Sequence, residues 1–388
     1  MKQVVRKRVR DANSDIIKED SIYTLLLDMN NIMKIHSVNH TYNGMEQDYG
    51  IVLGTLRTIS NMLRVKDFNF VYACYDGNQS GQLRYQYYPD YKANRDKHYT
   101  SSTNQTEYDR KIAEYCKKVI AYHKGKKPEV KRNETEEEDF NRQRQLIQDI
   151  LEELFIRQVM FDEVEGDDII AYYVKHKKEN EKVVIFSGDR DLTQLISDTV
   201  TVYIPSLKKY VTPQNSVELL GYTYENVVLK KIICGDSSDN IKGIKGVGET
   251  TLMKLFPKIK TEKTTLNEVL SLSNELLVDR AKNGKKPLKS LENIVKRITD
   301  GCQGEHIYEV NEKIIDLSHP LMTEIAEKSM ELLMYSPIDP SDRDIKNVYE
   351  IIEKNDMQEL LNENSFGNLF GIFEGIKKRE INFFKSCS

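Results

Sequence analysis

The apolar residues of this chain are concentrated in short continuous runs that are separated by helical patterns. Runs of this length without strict apolar–polar alternation are typical of strands buried on both faces of a sheet. The predicted strands are residues 22–28, 70–75, 159–161, 183–187 and 200–204. Strands that alternate with helices predict an α/β fold with a mostly parallel sheet.

The remaining pattern divides the chain into further parts. A long stretch rich in Tyr, Lys, Arg, Asn and Gln interrupts the α/β pattern, and the pattern becomes helical after about residue 225. The predicted parts are a basic tail over 1–20, an α/β domain over 21–228 with an insertion over about 77–156, a helical region with a glycine-rich turn over 229–300, and a helical, charged region over 301–388.

Nine carboxylates stand out, because most of them follow the end of an apolar run. They are Asp28, Asp76, Glu165, Asp167, Asp168, Asp189, Asp191, Asp236 and Asp239. The carboxyl ends of parallel strands share one edge of a sheet, which is where open α/β sheets bind ligands. Acids gathered there repel one another unless cations neutralise them. Each local cluster alone is more typical of helix caps and solvated turns than of a metal site, but together the nine predict a metal site.

The residue types at this site indicate which metal and which chemistry to expect. Carboxylate oxygens suit hard divalent ions such as Mg²⁺. Two Mg²⁺ ions about 4 Å apart can clamp an in-line attack on a phosphodiester, so phosphodiester hydrolysis is the predicted reaction.

A glycine-rich turn follows the last of these acids and leads into a helix. Exposed N–H groups in such a turn bind phosphate without reading bases. The predicted nucleic-acid contacts here are Lys242, Gly243, Lys245, Gly246, Gly248 and Thr250. A plain helix–turn–helix connector is the alternative interpretation of the turn alone.

A basic and aromatic segment follows Asp76. Arg84, Lys92 and Arg95 suit phosphate contacts. Tyr85, Tyr88 and Tyr91 recur every three residues, which would let them stack on bases. The alternative is a solvated helix with aromatic packing, but the position beside an acidic strand end favours contact with a substrate.

Composition limits the class of protein. The chain has 388 residues and a net charge of −4, which excludes a protein that is basic throughout but permits local basic patches. Its five cysteines form no CxxC pair, so reduced thiols are expected and a zinc site is not. No apolar stretch approaches the length of a membrane span. We therefore expect a cytoplasmic monomer without a membrane partner.

Six motifs together carry a family resemblance. They are Asp28, the Tyr-Asp-Gly at 75–77, the Pro-Asp-Tyr-Lys-Ala-Asn-Arg at 89–95, the Glu-Gly-Asp-Asp at 165–168, the Ser-Gly-Asp-Arg-Asp-Leu-Thr-Gln-Leu at 187–195, and the Gly-Asp-Ser-Ser-Asp-Asn at 235–240 that runs into residues 243–248. With these motifs, residues 22 to about 260 resemble the flap endonuclease and 5′→3′ exonuclease family, especially its bacteriophage members, including the phage ribonuclease H type.

The resemblance implies a fold and roles for the motif residues. The fold would be a PIN-like (Rossmann-like) sheet crossed by a helical arch, followed by a helix–hairpin–helix-like (helix–three-turn–helix) element that grips duplex DNA, often through a K⁺ ion. Lys92 and Arg95 would be catalytic and steer the scissile phosphate. One metal site would use acids like Asp28, Asp76, Glu165 and Asp167, and the second would use acids like Asp189, Asp191, Asp236 and Asp239, with Asp168 close by.

The expected function is that of a Mg²⁺-dependent, structure-specific 5′ nuclease in which Mn²⁺ can substitute. Its substrates would be branched or nicked duplex DNA and RNA–DNA hybrids, from which it would remove 5′ flaps and RNA primers. The alternatives are a PIN-type ribonuclease that acts on structured RNA and a catalytically silent protein that binds DNA junctions.

A partner site is the last candidate feature. Phe366, Leu369, Phe370 and Phe373 could anchor a sliding clamp or a single-strand-binding protein. A core-facing amphipathic helix is the better interpretation of this spacing.

Overall fold

The structure is a computed structural model that describes residues 22–38, 49–93, 136–299, 306–339, 341, 343–357, 360 and 363–387. The predicted basic tail, most of the predicted insertion and Arg95 lie outside these residues.

A six-stranded sheet forms the centre of the fold. Its strands in chain order are β1 (Tyr23–Asp28), β2 (Phe70–Cys74), β3 (Arg157–Val159), β4 (Lys182–Phe186), β5 (Val200–Ile204) and β6 (Lys209–Val211). The spatial order is β3-β2-β1-β4-β5-β6. The first five strands are parallel, and β6 runs antiparallel to β5. The predicted α/β class with a mostly parallel sheet is confirmed.

The third strand differs from its prediction. It covers 157–159 instead of 159–161, and Met160 is already 44% exposed. A charged residue, Arg157, occupies a buried position of this strand. Its charge is balanced by a residue far along the chain, which a local hydrophobic pattern does not reveal.

Helices connect and cover the strands. The described helices are α1 (Met29–Val38), α2 (Gly50–Val65), α3 (Gln82–Tyr85), α4 (Glu136–Glu153), α5 (Gly166–His176), α6 (Ser216–Leu220), α7 (Val227–Cys234), α8 (Glu249–Leu255), α9 (Leu266–Lys282), α10 (Lys289–Lys296), α11 (Ile307–Ile315), α12 (Glu324–Leu333), α13 (Ile345–Lys354), α14 (Glu363–Phe370) and α15 (Phe373–Cys387). A two-stranded hairpin of β7 (Gly235–Asp236) and β8 (Ile241–Lys242) lies between α7 and α8. Among the described residues, no helix combines the length and hydrophobicity that a membrane span needs.

Two hydrophobic cores cover the two faces of the sheet. Alternate residues of a strand point to opposite faces, so Leu25 and Leu27 of β1 enter one core and Leu26 the other. The first core includes side chains from α1, α2, α4, α13, α14 and α15. The second includes side chains from α5 and from α7 to α12. The region after residue 306 therefore contributes to both cores.

The four predicted partner-binding residues of α14 and the start of α15 pack in the first core. Leu369, Phe370 and Phe373 are buried, and Phe366 packs against them. The interpretation as a core-facing amphipathic helix is confirmed, and these side chains are not exposed to a partner protein.

A buried ion pair joins the edge strand β3 to the last helix. Arg157 Nη1 and Nη2 donate to the two carboxylate oxygens of Glu380 at 2.6 and 2.8 Å. The Ile338 amide donates to the same carboxylate at 3.1 Å. Both side chains are buried, so each charge depends on the other for neutralisation.

We expect Glu380→Ala to lower the free energy of unfolding by about 3–5 kcal/mol, because it leaves the Arg157 charge buried without a partner. Urea unfolding followed by circular dichroism measures the loss. Lys378→Ala changes an exposed residue of the same helix and should shift stability by less than about 0.5 kcal/mol. Equal stability of the two variants would contradict the assigned role of the pair.

Candidate metal centre and nucleic-acid interface

Three acids lie where neighbouring parallel strands end. Asp28 is the last residue of β1 and is level with Cys74 of β2. Asp76 follows Cys74 by two residues, and Asp189 follows the end of β4 at Phe186 by three. Because these strand ends are aligned in the sheet, the three carboxylates share one edge, as the sequence predicted.

Asp28 is buried at this edge. Ser187 Oγ donates to one of its oxygens at 2.6 Å, and the Asn31 amide donates to the other at 3.0 Å. Burial raises the pKa of Asp28 to about 7 despite these two hydrogen bonds, and the charges of Asp76 and Asp189 add to the rise.

Asp167 lies at the centre of the acidic group, in the first turn of α5. Burial raises its pKa well above the usual range, and the charges of Asp28, Asp189 and Asp76 act in the same direction. Acids from three strand ends and one helix start therefore interact electrostatically within one site.

Gly166 brings the start of α5 close to Asp76. Its amide donates to Asp76 Oδ1 at 2.7 Å, and a Cβ at this position would lie 3.3 Å from the same oxygen. A larger residue would thus crowd the carboxylate.

Glu165 lies beside a lysine. Lys92 Nζ donates to Glu165 Oε1 at 2.6 Å, and the Tyr91 hydroxyl donates to Oε2 at 3.1 Å. Burial alone would raise the pKa of Glu165, but Arg84 and Lys92 hold it below its usual value.

A second acidic cluster lies at the β7–β8 hairpin. Carboxylate oxygens of Asp191, Asp236 and Asp239 lie within 4.8 Å of one another. The hairpin turn brings Asp236 and Asp239 together, which agrees with the tight loop that was one interpretation of their spacing. Burial and the charge of Asp189 raise the pKa of Asp191 to about 7.

Lys231 in the last turn of α7 binds this second cluster. Its Nζ contacts Asp236 Oδ2 at 2.5 Å and also contacts Asp191. Burial alone would raise the pKa of Asp236, but Lys231 lowers it to about 2. Sequence reasoning missed this residue, because a lysine near a helix C-terminus is ordinary.

Asp168 and Arg84 form a buried pair behind the acidic site. Arg84 is 5% exposed, and its Nη1 and Nη2 donate to the Asp168 oxygens at 2.5 and 3.1 Å. The Leu321 amide also donates to Asp168, and Arg84 Nε donates to the Ile314 carbonyl oxygen. The predicted phosphate contact of Arg84 is therefore wrong, because its guanidinium is buried. Asp168 lies in this buried pair, and its predicted role as a metal ligand stays a prediction.

The tyrosines beside Lys92 serve mainly to anchor their own segment. Tyr91 is 3% exposed, and its hydroxyl binds Glu165, so its predicted stacking on bases is wrong. Tyr88 is half-buried and donates to the Asn240 carbonyl oxygen at 3.1 Å, and its base contact stays a prediction. Tyr85 is 38% exposed, and its base contact stays a prediction.

The glycine-rich turn has a packed side and an exposed side. A Cβ on Gly243 would lie 2.1 Å from the Cys234 carbonyl carbon, so this glycine permits close backbone packing. Gly246 has a φ of +73° and, like Gly248, has open space where a Cβ would lie. Lys242, Lys245 and Thr250 are exposed on the turn, and their nucleic-acid contacts stay predictions.

Comparison with known proteins agrees with this geometry. The family model described as "5'-3' exonuclease, N-terminal resolvase-like domain" matches residues 24–221. The chain is 32% identical over 167 residues to DNA polymerase I of Bacillus subtilis, a match that covers 42% of this chain and 19% of the polymerase. It is 33% identical over 142 residues to the 5'-3' exonuclease of Buchnera aphidicola subsp. Schizaphis graminum, covering 36% of this chain and 49% of that protein. The chain thus spans less than two thirds of either relative.

Solved structures show the same fold. The T5 5'-exonuclease with bound zinc matches 80% of this chain and 98% of its own, at a TM-score of 0.55 and 18% identity. A flap endonuclease of bacteriophage T5 in a complex with DNA and metal ions matches 85% of this chain and 99% of its own, at a TM-score of 0.52 and 18% identity.

The segment that the family model matches contains the six strands of the central sheet, apart from the first residue of β1. It also contains seven of the nine predicted acids. Since this match covers half of the sequence, the chain belongs to the 5'-3' exonuclease family.

Proposed function

We propose that this protein is a divalent-metal-dependent 5′ nuclease that hydrolyses phosphodiester bonds at 5′ flaps and nicks of duplex DNA and removes RNA primers from RNA–DNA hybrids. One observation carries the proposal. Eight carboxylates from five separate segments converge on one edge of the sheet, beside Lys92. Family membership and the likeness to T5 structures that contain metal ions and DNA support the same function.

The side chains at this edge fit two hard divalent cations. Every donor is a carboxylate oxygen, which Mg²⁺ and Mn²⁺ prefer. The raised pKa values of Asp28, Asp167 and Asp191 reflect burial of these carboxylates first and their like-charged neighbours second. When bound, two such ions would supply an activated water and would neutralise charge on the phosphodiester. The ligands of one ion would be Asp28, Asp76, Glu165 and Asp167, and those of the other Asp189, Asp191, Asp236 and Asp239.

Lys92 is placed to orient the substrate between the two acidic groups. Its ammonium binds Glu165, and its backbone amide donates to the Asp239 carbonyl oxygen at 2.8 Å. The side chain is partly exposed, so its Nζ can also donate to a phosphate oxygen that approaches the edge. Lys92 would thereby hold the scissile phosphate, a role predicted together with Arg95.

The glycine-rich turn would hold the duplex beside the cleavage site. The exposed backbone at Gly246 and Gly248 and the side chains of Lys245 and Thr250 suit phosphate contacts that do not depend on sequence. A K⁺ ion between this turn and the phosphates stays a prediction.

The direct test is cleavage mapping on end-labelled 5′-flap DNA, with Mg²⁺ and with EDTA. We expect Mg²⁺-dependent cuts near the flap junction and none with EDTA. Preferential cleavage of single-stranded or structured RNA would favour the PIN-type ribonuclease instead. Junction binding without cleavage in Mg²⁺ would favour a silent binding protein.

Asp189→Asn should lower the rate of flap cleavage more than about 100-fold and leave DNA affinity largely intact, because it removes a ligand charge but no phosphate contact. Single-turnover cleavage and DNA binding measure the two quantities. Asp198→Asn changes an exposed acid in the following turn and serves as the matched control. Undiminished turnover in Asp189→Asn would show that this carboxylate is not part of the reaction centre.

Metal binding should release protons near pH 7. Without metal, Asp28 and Asp191 have pKa values of about 7, so each is partly protonated there, whereas the metal requires the ionised form. We expect release of on the order of one proton per chain and a Mn²⁺ affinity that rises from about pH 6 to pH 8. Calorimetry in two buffers with different ionisation enthalpies measures the release. A pH-independent affinity without proton release would refute this prediction.

A further inference from the structure

An exposed basic surface lies beyond the glycine-rich turn, and none of its lysines has a role assigned above. We name it the α10 lysine surface. It consists of the connection between α9 and α10 and one face of α10, with Lys282, Lys285, Lys286, Lys289 and Lys296. All five lysines are exposed.

Basic charge is concentrated on this surface, although Arg297 beside it pairs with Glu309. Residues 280–297 contain seven Lys or Arg and a single acid, Glu292, in a chain whose net charge is −4. Within the described residues, none of the five lysines forms an ion pair. Lysines elsewhere do pair with acids, as in Lys230–Glu249, Lys258–Glu262 and Lys328–Glu324.

The connection between the two helices has a defined conformation. Gly284 has a φ of +64°, its amide donates to the Ala281 carbonyl oxygen, and the Lys285 amide donates to that of Arg280. This is the hydrogen-bond pattern of a Schellman motif. Arg280 Nε also donates to the Lys286 carbonyl oxygen at 2.9 Å. The lysines are therefore presented from an ordered backbone.

The surface is attached directly to the glycine-rich turn. The Lys245 amide donates to the Ile298 carbonyl oxygen at 2.9 Å, and Asn293 Nδ2 donates to the Lys245 carbonyl oxygen at 2.8 Å. Lys289 precedes Asn293 by four residues, and Lys296 follows it by three. The three residues therefore lie along the same side of α10. The backbone of Lys245 is thus bonded to the helix that carries Lys289 and to the residues that follow Lys296.

We propose that the α10 lysine surface binds phosphates of the same duplex that the glycine-rich turn holds, farther from the cleavage site. The inference rests on the function proposed above. Lys289 and Lys296 are separated by about 10 Å along the helix axis, which corresponds to about three base pairs of duplex. Exposed apolar side chains, among them Val278, lie nearby on α9. The preference for a polyanion therefore depends on the concentration of exposed lysines.

The test compares four full-length proteins. They are the wild type, the triple variant Lys285→Gln/Lys289→Gln/Lys296→Gln, the corresponding triple Lys→Arg variant, and the control Lys328→Gln/Lys346→Gln/Lys354→Gln, which removes equal charge from exposed positions elsewhere. Fluorescence anisotropy with a labelled 5′-flap duplex in EDTA, between about 50 and 200 mM KCl, gives the affinity and its salt dependence. Single-turnover cleavage of the same DNA in Mg²⁺ gives the rate at saturating enzyme.

The triple Gln variant should bind the duplex more weakly than the wild type. The magnitude of the slope of log K against log salt should fall by about 2 to 3, because each phosphate that is no longer neutralised lowers it by about 0.9. The triple Arg variant and the control should keep the slope of the wild type. The rate at saturating enzyme should be the same in all four proteins.

An unchanged slope in the triple Gln variant would overturn the inference, as would wild-type protein that does not bind the duplex. Wild type that binds but does not cleave would count against the proposed nuclease function and leave the slope comparison valid. If the triple Gln variant does not fold, the three single Lys→Gln variants replace it, each with an expected fall of about 0.9.

Discussion

The carboxylates at one edge of the sheet are buried together and repel one another, and their neighbours are arranged around that repulsion. Burial and mutual charge raise the pKa values of Asp28, Asp167 and Asp191. Nearby donors oppose this repulsion: Ser187 binds Asp28, and Lys231 binds Asp191. Such an arrangement is costly unless cations neutralise it, which is the physical basis of the reaction centre proposed at this edge.

The region after residue 306 supports this edge from behind. The Leu321 amide binds Asp168, and the Ile314 carbonyl oxygen accepts from Arg84, so both ends of the buried pair are held by this region. Asn311 donates to the carbonyl oxygens of Ile232 and Lys242, which ties α7 to the hairpin beside the second acidic cluster. The helical C-terminal region therefore packs behind the acidic edge and is hydrogen-bonded to the residues that support it.

The sequence allowed prediction of the features that depend on neighbouring residues. Apolar runs that end in acids located the parallel strands and the shared edge. Features that depend on distant partners were not predictable. Arg84 and Tyr91 looked like nucleic-acid contacts, but they turn inward because Asp168 and Glu165 lie beside them. Lys231 likewise contacts Asp191, and Arg157 of β3 pairs with Glu380, so both depend on residues far along the chain.

The most direct test of the central claim is a crystal structure grown with Mn²⁺, in which anomalous scattering locates the ions. We expect two anomalous-scattering peaks about 4 Å apart at the carboxyl edge of the sheet. One peak would contact acids among Asp28, Asp76, Glu165 and Asp167, and the other acids among Asp189, Asp191, Asp236 and Asp239. If no peak is found at this edge with saturating Mn²⁺, or if peaks are found only elsewhere, these acids do not form the proposed two-metal site.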